Sequence, residues 1–433
     1  MMRWVLNALY MDALLVAAPY WLWKVPQARR YRAGLAERLG FVRRMRSGVR
    51  RLWVHAASVG EASVPQNLIS LFRRRHPDWE VVFSTFTDTG ADRLRSLYPD
   101  CPVFYWPLDL SWCVERSLER IRPDAVVLVE QELWPNYLVS CLERNIPVAI
   151  ANGRINGYSA DLLGAVGRIC PATLEAVKLC CARSTADAEL FAHAGMRRER
   201  IFPTGSLKYD ALALEVEPAR REQLRRRLDL APGSPVLVAG STHPGEDEML
   251  CEVYEKLRLE HGGLRLLLVP RHIERAARLA RTLGSMGLAV VRKSELDSGA
   301  RTPSQNDVVL IDTIGELTMC YSLATCAFVG RSLLAPGGGQ NMMEPAALGR
   351  PVIVGPYTGN FEPEMKLLTA RRAVVVVRDG AELLRELRRL LGDHAEARRV
   401  GQNARTAVIE SRGAAERTLE RLEQMLAGAG PAP

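Results

Sequence analysis

Two carboxylates stand where an apolar run gives way to a helix, the setting in which an acidic side chain can act as a base. The first is Glu61, in Arg51-Leu-Trp-Val-His-Ala-Ala-Ser-Val-Gly-Glu61, where a β-branched and aromatic run ends at Ser58, Val59 and Gly60. Ligands of open parallel α/β sheets collect at the carboxyl ends of strands, so a carboxylate there can take a proton. Ser58 and Glu61 also have the S-x-x-E spacing of a capping box, in which the acid merely satisfies an amide at the helix start. The motif alone leaves both readings open. The second is Glu130, in Val129-Glu130-Gln-Glu132-Leu-Trp-Pro135-Asn. Strand alternation would turn Glu130 and Glu132 to one side, where each shifts the other's pKa; a solvated edge is the alternative. Lys208, in Gly205-Ser-Leu-Lys208-Tyr-Asp, is a cation near the end of the first series of strands, able to reach across a cleft.

A second group of residues suits an anion. In Ala335-Pro-Gly-Gly-Gly-Gln-Asn-Met-Met-Glu344, three glycines permit close backbone approach, and a helix starting near Asn341 would offer free amides. Asn341 and Glu344 are equally an N-cap and its partner three residues on. Arg271, after the apolar run ending at Val269-Pro270, can clamp a phosphate with paired donors or lie solvated at the surface. Asp312-Thr-Ile314-Gly315-Glu316-Leu follows another such run and can supply backbone amides, or is an ordinary strand-to-helix turn. No G-x-x-x-x-G-K-[ST] occurs, which argues against a P-loop nucleotide hydrolase.

These residues need a scaffold. Apolar runs at 52–57, 80–86, 103–106, 125–130 and 147–151 alternate with helical stretches, and 179–182 and 201–204 complete a first wound parallel sheet. A second series runs through 235–239, 264–269, 308–312, 326–330, 351–354 and 373–377, before a helical tail at 396–426. The expected fold is α/β: two Rossmann-like parallel-sheet domains facing a cleft. The expected boundaries are 1–32 for a membrane anchor and basic segment, 33–218 and 219–410 for the two domains, and 411–433 for a terminal helix and tail.

Composition narrows the partners. Fifty-eight Lys and Arg against 49 Asp and Glu give a net charge of +9, which implies an anionic partner. Zinc-finger spacing, a ribonucleoprotein aromatic motif and a basic low-complexity arm are all missing, so nucleic acid is set aside. The nine cysteines form no C-x-x-C and the seven histidines no H-x-x-x-H, which indicates a reducing compartment and no transition-metal site. Trp4 to Trp23 is nearly all apolar, with aromatics near both ends, and Lys24, Arg29, Arg30 and Arg32 follow it. That pattern predicts a membrane anchor with the main body in the cytoplasm. Asp12, near its middle, keeps a shallow interfacial helix as an alternative.

Ser58-Val-Gly-Glu61, Glu130-Gln-Glu-Leu-Trp-Pro-Asn136, Asn152-Gly-Arg154, Gly205-Ser-Leu-Lys208, Pro270-Arg-His272, Asp312-Thr-Ile-Gly-Glu316-Leu and Asn341-Met-Met-Glu-Pro-Ala346 occur in that order. Together they resemble the bacterial 3-deoxy-D-manno-octulosonic acid (Kdo) transferases of lipopolysaccharide synthesis. The resemblance runs from the N-terminal segment to Arg412-Gly-Ala414. It implies a GT-B glycosyltransferase that moves Kdo from CMP-Kdo to a lipid A precursor at the cytoplasmic face of the inner membrane. By resemblance Glu61 is the general base, and Glu130 and Lys208 stabilise the transition state. Pro270, Arg271, Ile314, Gly315, Glu316, Asn341, Met342, Met343 and Glu344 would hold CMP, with Glu344 on the ribose hydroxyls. The single phosphate of CMP can be neutralised by Arg271 and a helix N-terminus, so no metal or other cofactor is expected. Direct displacement would invert the anomeric centre. Gln340 stands where members often have His, Met342 where Pro is frequent, and Gly153 and Ser206 where Ala and Asn are frequent. None of these departures removes a proposed catalytic group, although Gln340 cannot gain a proton as histidine can. The rival readings are a GT-B transferase using a UDP-sugar on a lipid-linked acceptor, and a membrane-tethered binding protein without turnover.

Overall fold

The computed structural model describes Asn7, residues 34–304 and residues 307–428. The chain forms two compact units, 1–211 together with 411–433, and 212–410. The crossing point lies at 211/212 rather than 218/219, and the terminal helix belongs to the first unit instead of standing apart.

The first unit is built on β1 (Arg51–His55), β2 (Glu80–Thr85), β3 (Val103–Tyr105), β4 (Ala125–Val129), β5 (Val148–Gly153), β6 (Val177–Ala182) and β7 (Ile201–Pro203). All pair in parallel, in the order β3-β2-β1-β4-β5-β6-β7. Helices cover both faces, so β1 and β4 are buried at every residue and read as largely apolar runs. On one face Trp53 lies edge-on to Tyr137 at 5.4 Å, and Trp106 packs 4.2 Å from the same ring. On the other, Leu52, Phe72 and Leu179 share a core with Leu419 and Leu422 of the helix Ala414–Gly428. That helix returns to the first unit because Asp210 accepts the amides of Gly413 (2.7 Å) and Ala415 (2.6 Å) at its start. The strand order reverses direction between β1 and β4, which makes the carboxyl ends of those strands the switch point of the sheet.

The second unit repeats the plan with β8 (Val236–Thr242), β9 (Arg265–Pro270), β10 (Val290–Arg292), β11 (Val308–Leu310), β12 (Cys326–Val329), β13 (Val352–Val354) and β14 (Val374–Val376). Their order is β10-β11-β9-β8-β12-β13-β14, again all parallel. The edge strand β10 is an addition to the expected set. Its switch point lies between β8 and β12. The helix His394–Glu410 packs so closely on the turn at Gly349 that a Cβ on Gly401 would meet the Gly349 carbonyl at 2.2 Å.

The expected anchor, 1–32, lies outside the described residues except for Asn7. Asn7 is buried: its amide donates to Ser111 Oγ (2.7 Å), and its carbonyl accepts the Ser111 amide (3.0 Å) and Asn136 Nδ2 (3.2 Å). Among the described residues no helix is long and apolar enough to cross a membrane.

Candidate active site

Glu61 follows β1 in a four-residue helix, Val59–Ala62, and Glu130 follows β4, so the switch point carries both carboxylates. The capping box at Glu61 does not form. The Ser58 hydroxyl accepts no amide and instead donates to Glu61 Oε1 (2.9 Å), while Glu61 Oε2 accepts the amide of Ala57 (2.9 Å), ahead of the cap position. Burial raises the Glu61 pKa, and the bonds from Ser58 and Ala57 oppose that; Glu130 adds to the rise and Lys208 opposes it. The result is a carboxylate fixed in orientation yet short of solvation, the state of a base eager for a proton.

Glu130 does not continue the strand. It sits at φ 63°, a left-handed conformation uncommon for a residue other than glycine, with its amide still bonded to Ala151 O (3.0 Å). Strand alternation therefore does not govern Glu130 and Glu132; the turn does. Lys208 Nζ lies 2.8 Å from Glu130 Oε1. Asn152, at φ 56° near the end of β5, approaches the same oxygen at 3.4 Å and accepts the Leu207 amide at 2.9 Å. One buried asparagine thus couples the Glu130 turn to the short helix Leu207–Asp210 that carries Lys208. Glu132 accepts from Trp134 Nε1 (2.9 Å) and is pushed up to about 7, mainly by burial and then by the charges of Glu61 and Glu130.

In the second unit, Pro270 closes β9 and Arg271 follows it, exposed, with its amide on Thr242 O (3.1 Å). Among the described residues no carboxylate lies within ion-pair distance of the Arg271 guanidinium, although its field lowers the pKa of Glu344. Glu344 is raised chiefly by burial; the side chain of Asn341 donates to its Oε1 at 3.0 Å. The helix here is short, Met343–Ala347, beginning after Met342, and Asn341 accepts the Met343 amide at 3.1 Å. Met342 and Met343 are buried and fix this turn from beneath. Gly337, Gly338 and Gly339 have φ of 56°, 112° and 79°, and side chains on the first two would strike Tyr357 and Asn360 at 2.2 and 2.5 Å. The chain's own packing thus requires these glycines. After β11, Ile314 is 85% exposed beside Gly315, around which there is open space, and Glu316 pairs with Lys293 at 3.1 Å.

Sequence reasoning missed Glu246. This buried carboxylate, near the end of β8, accepts the amides of His243 (3.0 Å), Arg331 (2.7 Å), Ser332 (2.9 Å) and Leu333 (3.0 Å). It ties the loops after β8 and β12 together across the switch point and so sets the path into the glycine loop. Its only local signal is an acid after His243-Pro-Gly.

Residues 33–211 match the family model described as 3-deoxy-D-manno-octulosonic-acid transferase (kdotransferase), and residues 339–426 match one described as glycosyl transferase-like. Among solved structures, a UDP-GlcNAc 2-epimerase from Neisseria meningitidis superposes with a TM-score of 0.60 at 15% identity, covering 86% of this chain and 100% of its own. The calicheamicin glycosyltransferase CalG4 gives 0.55 at 14%, covering 89% and 100%. Two wound parallel sheets with these likenesses define the GT-B class, a fold that the epimerase shares. The 3-deoxy-D-manno-octulosonic acid transferase of Haemophilus influenzae is 33% identical over 92% of both chains, and that of Bordetella pertussis 32% identical over 97% of this chain and 99% of its own. The chain belongs to the Kdo transferase family and is a glycosyltransferase.

Proposed function

We propose that the enzyme moves Kdo from CMP-Kdo to a lipid A precursor, with Glu61 as general base and inversion at the anomeric carbon. The observation that carries the reading is the Glu61 carboxylate, oriented by Ser58 and Ala57, raised in pKa by burial, and within the field of Glu130 and Lys208. Glu61 takes the proton of the acceptor hydroxyl as its oxygen bonds to the anomeric carbon. The bond from that carbon to the CMP phosphate breaks, and the electron pair leaves with CMP. Lys208, paired with Glu130, supplies positive charge as negative charge develops.

For the donor, Arg271 is free of carboxylate partners among the described residues and suits the CMP phosphate. Glu344, held by Asn341, suits the ribose hydroxyls, and the exposed Ile314-Gly315 tip with Glu316 suits the base. No metal is required in this scheme. The basic net charge of +9 and the apolar Trp4–Trp23 segment support a bisphosphorylated glycolipid acceptor at the cytoplasmic face of the inner membrane.

The test is transfer from CMP-Kdo to a tetraacylated precursor in detergent, resolved by mass, for wild type and Glu61→Gln. The expected result is a mass gain of whole Kdo units, lost by about a hundredfold or more in the variant while CMP still binds. Transfer undiminished in the variant would return Glu61 to a structural role. Product inhibition by UDP but not CMP would replace the donor.

A further inference from the structure

A cavity of about 310 Å³ opens in the second unit, and its wall gathers Arg221, Arg225, Arg350, His394 and Arg398 with no carboxylate among them. Ser234, Thr325 and Pro351 also line it; each precedes a strand, so the cavity lies at the amino ends of β8, β12 and β13. The proposed donor residues follow the carboxyl ends of strands in this sheet. Seven residues of β8 separate the two edges by about 20 Å.

The fold accounts for these cations only in part. Arg350 donates through its two terminal nitrogens to the carbonyls of Ala324 (3.0 Å) and Ser322 (2.6 Å), while its Nε is buried without a partner. Burial, and after it the charges of Arg221 and Arg405, bring its pKa down to about 10. Neither Arg221 nor Arg398 pairs with a carboxylate among the described residues, and both are exposed. Arg225 is the wall cation with a counter-charge, held by Glu222, which also holds Arg226; Glu215 holds Arg405, and Asp393 caps the amides of Ala395 and Glu396. Arg221, Arg350 and Arg398 thus face one partly enclosed space with no carboxylate paired to them among the described residues, and an anion there would relieve their mutual repulsion. The turn bearing Arg350 is rigidly seated, since Gly349 and Gly401 meet without room for a side chain.

We propose that this cavity binds a small phosphate-bearing anion, at a site separate from the one that takes the sugar donor. Arginine forks match phosphate oxygens, and the cavity has room for an inorganic pyrophosphate.

The experiment is calorimetric titration of the full chain in detergent with inorganic pyrophosphate, after saturation with CMP. The expected result is one further binding event, weakened at least tenfold in Arg221→Glu/Arg398→Glu and largely retained in Arg221→Lys/Arg398→Lys. Both pairs are exposed, and an unchanged thermal transition verifies the fold. Absence of that event in wild type, or equal affinity in the glutamate variant, would overturn the proposal. CMP that fails to bind would count against the donor reading alone, because pyrophosphate titration of the two variants still decides this site.

Discussion

Lys208 Nζ and Glu130 Oε1 meet at 2.8 Å, and this pair sets two opposing charges near the Glu61 carboxylate. Burial raises the Glu61 pKa first; Glu130 then adds to the rise and Lys208 subtracts from it. The pair is not a stability device, because its lysine is 45% exposed and such pairs contribute little. Its placement matters for chemistry, where the same lysine can meet developing negative charge.

The signs are opposite for the two members. As the proposed base, Glu61 must be ionised to take a proton, so the rate is expected to rise with pH through its pKa. Lys208→Met removes the lowering influence and moves the acid limb of kcat to higher pH; Glu130→Gln removes a raising influence and moves it to lower pH. Both lower the plateau rate, by about a hundredfold for Lys208 if it stabilises the transition state. Profiles of kcat against pH for the three proteins check this, and coincident acid limbs would refute it.

Glu132 makes a prediction on stability. Its pKa rises from 4.5 unfolded to about 7 folded, so the folded state favours the protonated form. Relative stability is full below about 4.5 and declines as pH rises toward 7, where the native protein must ionise a buried acid. Glu132→Gln removes that slope. Denaturant midpoints at about pH 4.5 and about pH 8 should show the variant gaining on wild type on the order of 2 kcal/mol at the higher pH, a figure reduced for partial solvation.

The sheets were legible because parallel strands covered on both faces must be apolar throughout, as in Ala125–Val129 and in the stretch 266–269 within β9. β10 escaped because only the middle of its three residues is buried. Glu61 and Glu130 were legible as strand-end acids, but their geometry was not: the capping spacing at Ser58 belongs to a different hydrogen-bond pattern, and φ at Glu130 breaks the alternation. Glu246 was invisible because three of its partners are the amides of residues 331–333, distant in sequence. The three glycines signalled backbone freedom correctly, but the neighbour that demands it is the segment at 357–360.

Glu246 should behave as a structural pin of the second unit. In Glu246→Gln the amide nitrogen turns a donor toward amides that the carboxylate oxygens accept, leaving at least one buried N–H unpaired. A loss of about 2–4 kcal/mol is expected from chemical denaturation. CMP affinity should fall as well, because the loop leading to Asn341 and Glu344 loses its tether. Unaltered stability would mean that water replaces the carboxylate and that the loop holds itself.

Asp210 links the C-terminal helix to Lys208. Its two carboxylate oxygens accept the Gly413 and Ala415 amides, and its own helix, Leu207–Asp210, carries Lys208. Asp210→Ala leaves those amides without their acceptor and removes an anion from the positive end of a fifteen-residue helix. The expected cost is about 1–2 kcal/mol, with hydrogen-exchange protection lost first across Ala414–Gly428. Transfer should slow although Asp210 contacts no reacting group, because Lys208 is released from its register with Glu130. If exchange quickens in the helix while the rate holds, the Asn152 bond to Leu207 alone positions the lysine, and Asn152→Ala becomes the variant that slows transfer.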